Sequence, residues 1–136
     1  MKGVYVTVLI VLVCTSLAFC KDYYVDSING DPEDPGSNGT IEKPWAAISY
    51  ALSQVAPTES DPAIIHIAEG RYDRSNEDFP ILLKSFVSLV GADRETTIID
   101  GGNTPGKSIF NCSASFNISL EGMTFTGGTG SLTDSC

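Results

Sequence analysis

From residue 63 onward, the chain consists of short apolar runs that are each closed by glycine, asparagine or aspartate. Runs of three to six residues, rich in β-branched and aromatic side chains, predict short strands rather than helices. A first strand is predicted earlier, at Asp22–Asp26. The later predicted strands are Ala63–Ala68, Ile81–Leu83, Phe86–Val90, Thr96–Ile99, Ser108–Phe110, Phe116–Leu120 and Met123–Phe125. Two architectures fit this pattern: an antiparallel sandwich and a parallel β-solenoid.

The spacing of the strands favours the solenoid. Ile67, Val90 and Glu121 occupy similar places at or just before a glycine turn, at intervals of 23 and 31 residues. Asp100 and Thr126, each followed by glycine, lie 26 residues apart. A near-repeat of this length is typical of one coil of a β-helix. Asn-Gly dipeptides, which indicate hairpins, occur only in the loop before residue 44, which weakens the sandwich.

One helix is predicted, from Pro44 to Val55. Proline is well tolerated in the first turn of a helix because its missing N–H has no partner there. The apolar residues recur on one helical face and Pro57 ends the pattern; they are Trp45, Ile48, Ala51, Leu52 and Val55. We expect this helix to cap the N-terminal end of the solenoid, with Trp45 as its core anchor rather than a sugar-binding platform.

Residues 1–20 have the pattern of a secretory signal peptide. Lys2 is followed by an apolar run at 4–13, and Ser16-Leu17-Ala18 supplies the small residues of a cleavage site. The run is shorter than the roughly 20 residues that span a bilayer, which disfavours a transmembrane anchor. Phe19, before Cys20, disfavours a lipoprotein. We therefore expect one domain at 21–136, secreted or at the cell surface, with no membrane span after cleavage.

The charge balance restricts the partners. The whole chain carries a net charge of −9, and removal of Lys2 with the leader makes it −10. This disfavours nucleic acid and anionic lipid as ligands. Asp31, Glu33 and Asp34 could offer oxygen ligands to Ca²⁺, but their spacing is not that of an EF-hand. A solvated acidic loop is favoured, and no cofactor is expected.

Several segments, taken in order, resemble the pectin-lyase-like superfamily of right-handed parallel β-helices. Residues 44–52 (PWAAISYAL) resemble its cap-helix pattern P-[FW]-x-[ST]-I-x-x-A-[LV]. The pieces that follow in the family's order are Ile64–Ile67, Glu69–Tyr72, Phe86–Gly91, Thr97–Gly101 and Gly122–Phe125. The resemblance implies an all-β fold: a right-handed solenoid of about three coils with an N-terminal capping α-helix.

This resemblance leaves two functions open. The opening of the domain is most similar to secreted or surface β-helix proteins of unknown function, and more distantly to pectinesterases. The first hypothesis is a non-catalytic module that binds polysaccharide or a surface partner. The alternative is the N-terminal part of a pectinesterase- or lyase-like enzyme, whose catalytic residues would follow residue 136. The resemblance supplies no catalytic position within this chain, and we expect the domain to be truncated here.

Three groups of residues are candidate sites. Arg71, Tyr72 and Arg74 could bind a sugar, because aromatic rings stack on sugars and arginine binds carboxylates; alternatively, Tyr72 packs in a corner of the fold. His66 should face outward from its strand, as plain surface. Three sequons make Asn38, Asn111 and Asn117 candidate glycosylation sites if the protein comes from a eukaryote, although such short motifs also arise by chance.

The cysteines predict a disulfide. Cys112 and Cys136 are 24 residues apart, close to one coil, and stacked residues lie about 4.8 Å apart. A disulfide requires Cα atoms roughly 4.4–6.8 Å apart. In an oxidising compartment these two residues could therefore link adjacent coils. Insertions in the glycine-rich loop between them could put them out of register.

Overall fold

The computed structural model describes residues 20–31, 36 and 38–130. Within these residues there are nine strands and one short helix. In chain order they are β1 (Lys21–Val25), α1 (Ile48–Gln54), β2 (Ala63–Ile67), β3 (Gly70–Tyr72), β4 (Ile81–Leu82), β5 (Val87–Gly91), β6 (Thr97–Asp100), β7 (Phe110–Asn111), β8 (Ser119–Glu121) and β9 (Thr124–Thr126). The strands predicted from sequence are present with ends shifted by one to three residues. Strand β3 was not predicted, since its sequence Gly-Arg-Tyr carries little strand signal.

The strands form three parallel sheets. The first has the order β1-β2-β5-β8, the second β3-β6-β9 and the third β4-β7. From β2 onward the chain visits the three sheets in turn, so the neighbouring strands of each sheet are separated by strands of the other two sheets; β1 and β2 are instead joined through the segment that contains α1. Every ladder between these strands is parallel. The protein is therefore all-β, and the antiparallel sandwich is wrong.

The register fixes how the repeats align. Val90 lies opposite Glu121 and Asp100 opposite Thr126, as the spacing predicted. Ile67, however, lies opposite Gly91, so the predicted alignment of Ile67 with Val90 was wrong by one residue. The error arose because Val90 is the last apolar residue before the glycine, whereas the strand itself continues through Gly91.

The core is formed by every second side chain along the strands. In β2 and β5 the buried and half-buried residues alternate, which is the pattern of strands with one face against the interior. Ile65, Ile67, Val87 and Leu89 are almost completely buried. Removing each such side chain from water stabilises the fold by roughly 1.5–3 kcal/mol. The inward row through Ile65 and Leu89 continues to the partly buried Leu120.

The helix is shorter than predicted and begins later. It starts at Ile48, and Trp45 instead has an extended backbone that bridges Val25. The Trp45 N–H donates to the Tyr24 carbonyl oxygen at 3.0 Å, and the Asp26 N–H donates to the Trp45 carbonyl oxygen at 2.8 Å. Helical periodicity at Trp45 was therefore misleading, because its ring enters the core from an extended segment. The ring is buried and stacks on Tyr23, with centroids 5.4 Å apart.

The N-terminal end of the core is covered. Ile48, Ala51 and Leu52 are the buried residues of α1, and the helix packs against β1 and β4. The predicted signal peptide lies outside the described residues except for Cys20, which is exposed. The described residues contain no helix with the length and apolarity needed to cross a bilayer.

Candidate functional site

The outward face of the first sheet places an aromatic ring beside a histidine. Because side chains alternate along a strand, Tyr24 on β1 and His66 on β2 lie on the same face and in register. Their rings are stacked, with centroids 5.0 Å apart and planes 21° apart. The outward orientation of His66 was predicted from the sequence, whereas its contact with Tyr24 was not, since the two residues lie 42 positions apart.

His66 also has an acidic partner. Its Nε2 lies 2.8 Å from Oδ1 of Asp22, a residue displaced by two positions along β1. Both side chains remain substantially exposed to solvent, so the pair adds little stability. Its effect is to fix the orientation of the imidazole over Tyr24. The sequence analysis treated His66 as plain surface and did not predict this contact, which arises because parallel pairing of β1 with β2 brings the carboxylate within reach.

A groove of about 410 Å³ lies next to these rings. It runs between the C-terminal ends of β1, β2 and β5 and the segment that precedes the helix. Tyr24 and His66 form part of its lining, and Ile41 and Pro44 lie on the side of that segment. Ile41 is 66% exposed, so its aliphatic surface is accessible from solvent. The groove thus combines aromatic, aliphatic and imidazole surfaces, as small-molecule sites often do.

The one carboxylate in the described part of the groove lining, that of Asp26, is engaged in a turn. Asp26 Oδ1 accepts hydrogen bonds from the backbone N–H groups of Ile28 and Asn29, each at 2.9 Å. Its Oδ2 accepts from Asn29 Nδ2 at 2.8 Å. Burial alone would raise the pKa of Asp26, but these bonds outweigh it and hold the pKa below its ordinary value. Among the described residues that line the groove, none is lysine or arginine.

The two arginines predicted to bind a sugar are held by acceptors of the protein itself. Arg71 Nη2 donates to the carboxylate of Asp100, and its Nε lies 3.7 Å from Asp73. Arg74 Nε donates to the Gly101 carbonyl oxygen at 3.1 Å. These contacts link the ends of β3 and β6, so both guanidinium groups support the structure of this corner.

Tyr72 is not available to a ligand. Its relative exposure is 0%, and its hydroxyl donates to the Ala68 carbonyl oxygen at 3.1 Å. Burial is the main reason that its pKa rises to about 12. Sugar stacking on Tyr72 is therefore excluded, and the alternative, packing in a corner of the fold, is correct. The predicted trio does not form one accessible surface.

The remaining candidate residues are not part of the described groove lining. Asn38 and Asn117 are exposed, and Asn111 is half-buried on β7. Cys112 is buried and disulfide-bonded; Cys136 lies outside the described residues, so their pairing stays a prediction. Glu33 and Asp34 also lie outside. No cluster of metal-ligand residues occurs within the described part of the chain.

A buried carboxylate that the sequence did not reveal organises the helix. Glu77 accepts hydrogen bonds from the backbone N–H of Ile48 and, at 3.0 Å, from that of Ser49. The Ser49 hydroxyl donates to the same carboxylate at 2.7 Å. Ala47, at the usual capping position, offers no side-chain hydrogen bond. Glu77 lies 29 residues after Ile48, beyond the reach of any local capping rule.

The described residues define an all-β protein of parallel sheets with one short helix and a groove beside the first sheet. A family model described as "Protein of unknown function (DUF1565)" matches residues 28–131, which is more than half of the chain. The chain belongs to this family. The family is associated with right-handed β-helix proteins. No curated protein and no solved structure matches the chain.

Proposed function

We propose that the chain is part of a right-handed parallel β-helix of the pectin-lyase-like type. The cyclic use of three parallel sheets supports this, because a sandwich would not return to each sheet in the same order. Apolar side chains at β7, β8 and β9 remain partly exposed, among them Phe110, Leu120 and Phe125. Their exposure favours the presence of a further coil over this end.

We infer a non-catalytic role at the cell surface or outside the cell, in which the groove binds a neutral polysaccharide. The observation that carries this proposal is the stacked pair of Tyr24 and His66 beside the exposed Ile41. A pyranose has apolar C–H faces that fit aromatic and aliphatic surfaces, and hydroxyls that fit imidazole and phenol groups. The groove is open at the surface, so a sugar within a longer chain could enter it.

A neutral ligand fits better than an acidic one. An acidic polysaccharide needs cations, and the described lining of the groove has no lysine or arginine. Arg71 and Arg74 are engaged elsewhere with Asp100 and with the Gly101 carbonyl oxygen. The net charge of −9 also repels a polyanion. Pectate-like chains are therefore disfavoured as ligands.

Binding to a panel of soluble neutral and acidic polysaccharides tests this proposal. Isothermal titration or affinity electrophoresis should detect a neutral polysaccharide and no polygalacturonate. Replacing Tyr24 with serine should weaken binding about tenfold, in line with roughly 1.4 kcal/mol for an aromatic contact. Tyr50→Ser is the matched control, because Tyr50 is exposed on the helix outside the described groove lining. If both variants bound the polysaccharide with equal affinity, the groove would be excluded as the binding site.

Secretion is tested separately. The full chain, expressed in a host with a secretory pathway, should appear in the medium with a new N-terminus close to residue 21. N-terminal sequencing of the secreted product identifies the cleavage site. Retention in the cytoplasm with Met1 intact would contradict the proposed localisation and leave the ligand proposal to be judged by the binding experiment.

The alternative, part of a polysaccharide-active enzyme, keeps its catalytic residues on coils after residue 136. The partly exposed apolar residues of β7, β8 and β9 are the observation that favours further coils. The chain itself should then show no pectin de-esterification or cleavage. Turnover by this chain alone would contradict both the non-catalytic role and this placement of the catalytic residues.

A further inference from the structure

The three sequons lie in different environments. A glycan is bulky and hydrophilic, so a folded protein accommodates it only where the asparagine side chain projects into solvent. Asn38 lies in the segment before the helix and is exposed, as is the hydroxyl-bearing Thr40 of its sequon. Asn117 is also exposed. Asn111 differs from both.

Asn111 is built into the third sheet. It lies on β7 opposite Leu82, and its carbonyl oxygen accepts the Leu83 N–H at 2.8 Å. Its side-chain Oδ1 accepts the Ser113 N–H at 3.0 Å and the Ser113 hydroxyl at 2.8 Å. The middle residue of this sequon, Cys112, is buried and disulfide-bonded. A glycan bonds to Nδ2, so the bonds to Oδ1 could persist; the obstacle is that the glycan would start from a half-buried strand residue beside that buried disulfide.

Asn117 lies in an exposed turn. Its φ is 55°, in the left-handed region that asparagine tolerates better than most residues. The sequon continues to Ser119, the first residue of β8. The side chain therefore occupies the loop between the third and first sheets rather than a paired strand.

An exposed aromatic pair adjoins Asn117. Phe116 is 58% exposed, and its ring contacts that of Phe86 edge to face, with centroids 5.0 Å apart. The two segments are held together by the Phe86 N–H, which donates to the Phe116 carbonyl oxygen at 3.2 Å. An exposed apolar surface of this kind promotes association unless something covers it.

We propose that Asn117 and Asn38 carry N-linked glycans, that Asn111 does not, and that the glycan on Asn117 covers the ring pair of Phe116 and Phe86. The proposal rests on the secretory route proposed above. In the reaction, Asn117 Nδ2 bonds to C1 of an N-acetylglucosamine of a lipid diphosphate-linked oligosaccharide. The bond from C1 to the diphosphate oxygen breaks, the lipid diphosphate leaves, and one amide proton is released.

Mass spectrometry of the secreted protein tests the site assignment. The full chain is expressed in a eukaryotic secretory host and deglycosylated with peptide N-glycosidase in ¹⁸O-water, which converts each occupied asparagine to labelled aspartate. Label is expected at Asn38 and Asn117 and not at Asn111. Secreted protein with unmodified Asn117, or with label at Asn111, overturns the proposal. Replacing residues 1–20 with a host signal peptide separates a failure of secretion from a failure of this site assignment.

A second measurement tests the covering role. Asn117→Gln should increase light scattering on warming relative to the wild-type glycoprotein. Asn38→Gln is the matched control, since it also removes one glycan but lies next to a different part of the surface. Adding Phe116→Ser to Asn117→Gln should restore low scattering. Equal scattering of the two single variants, or no rescue by Phe116→Ser, shows that the glycan does not cover the ring pair.

Discussion

The capping of α1 by Glu77 gives a prediction that can be worked from the structure. The first backbone N–H groups of a helix have no partner within the helix. Here Ile48 and Ser49 donate to one carboxylate from a distant loop, and Ala47 supplies no cap. Glu77→Ala removes the acceptor for both groups and for the Ser49 hydroxyl.

The magnitude follows from which donors lose their partner. The Ile48 N–H bond is buried, and a buried donor without an acceptor costs roughly 1–3 kcal/mol. The Ser49 N–H is partly accessible, so water can replace some of its hydrogen bonding to Glu77. For this second bond we take the usual cost of losing a helix cap, about 1 kcal/mol. Together these give a loss of about 2–4 kcal/mol in the free energy of unfolding, or a decrease in Tm of at least about 10 °C.

Chemical and thermal unfolding monitored by circular dichroism measures this loss, at pH 5. Asp78→Asn is the matched control, because Asp78 is the neighbouring acid and is exposed. It changes the adjacent acidic side chain without removing a cap, so its effect on the free energy of unfolding should stay within about 0.5 kcal/mol. If Glu77→Ala unfolds at the same denaturant concentration as Asp78→Asn, the capping argument is wrong.

The same carboxyl group gives stability a pH dependence. Burial raises the pKa of Glu77 above its ordinary value, although the hydrogen bonds from Ser49 and Ile48 oppose this. The folded state therefore keeps the proton to a higher pH than the unfolded state. The stability that comes from this difference in proton binding at Glu77 is fully present below the unfolded-state pKa of about 4.3. It is lost as the pH rises through the folded-state pKa. The stability of the wild type relative to Glu77→Gln should decrease between pH 4 and 7; an increase would refute the sign.

Two further predictions concern the disulfide and a closely packed glycine. Peptide mapping without reduction should recover Cys112 linked to Cys136, and reduction should lower the free energy of unfolding by about 3 kcal/mol for a loop of this length; recovery of Cys136 as a free thiol excludes the pair. Gly91→Ala should destabilise by at least about 2 kcal/mol, because an added Cβ would lie 2.8 Å from the carbonyl carbon of Gly122. Gly106→Ala is the control, since its added Cβ meets nothing within 4 Å and its cost should be limited to about 1 kcal/mol of backbone strain. Equal costs for the two variants would contradict close packing at Gly91.

The sequence predicted those parts of the fold that depend on local patterns. The alternation in residues 63–67 and the 26-residue step from Asp100 to Thr126 both gave correct results. The start of the helix was wrong, because the periodicity of Trp45 with Ile48 does not distinguish a helical residue from an extended one whose ring reaches the same core. The local sequence pattern thus predicted burial more accurately than it predicted whether a buried residue is helical or extended.

The candidate site was mostly missed, for a reason that concerns distance along the chain. Asp22 and His66 are 44 positions apart, and their contact depends on the register of β1 with β2. A one-residue error in register, such as the one made for Ile67 and Val90, is enough to pair the wrong side chains. Arg71 and Tyr72 were proposed from residue type alone, which says nothing about burial or about acceptors on the next strand.

The core and the groove depend on one another because they use opposite faces of the same strand. In β2, Ile65 and Ile67 face the interior, while His66 between them faces the groove. Since side chains alternate with period two, a slip of one residue would bury His66 and expose both isoleucines. The burial energy of those isoleucines therefore fixes the register that places His66 beside Tyr24 and Asp22. The position of His66 in the groove therefore follows from packing in the core, and a substitution at His66 should change the groove surface while leaving the fold stable.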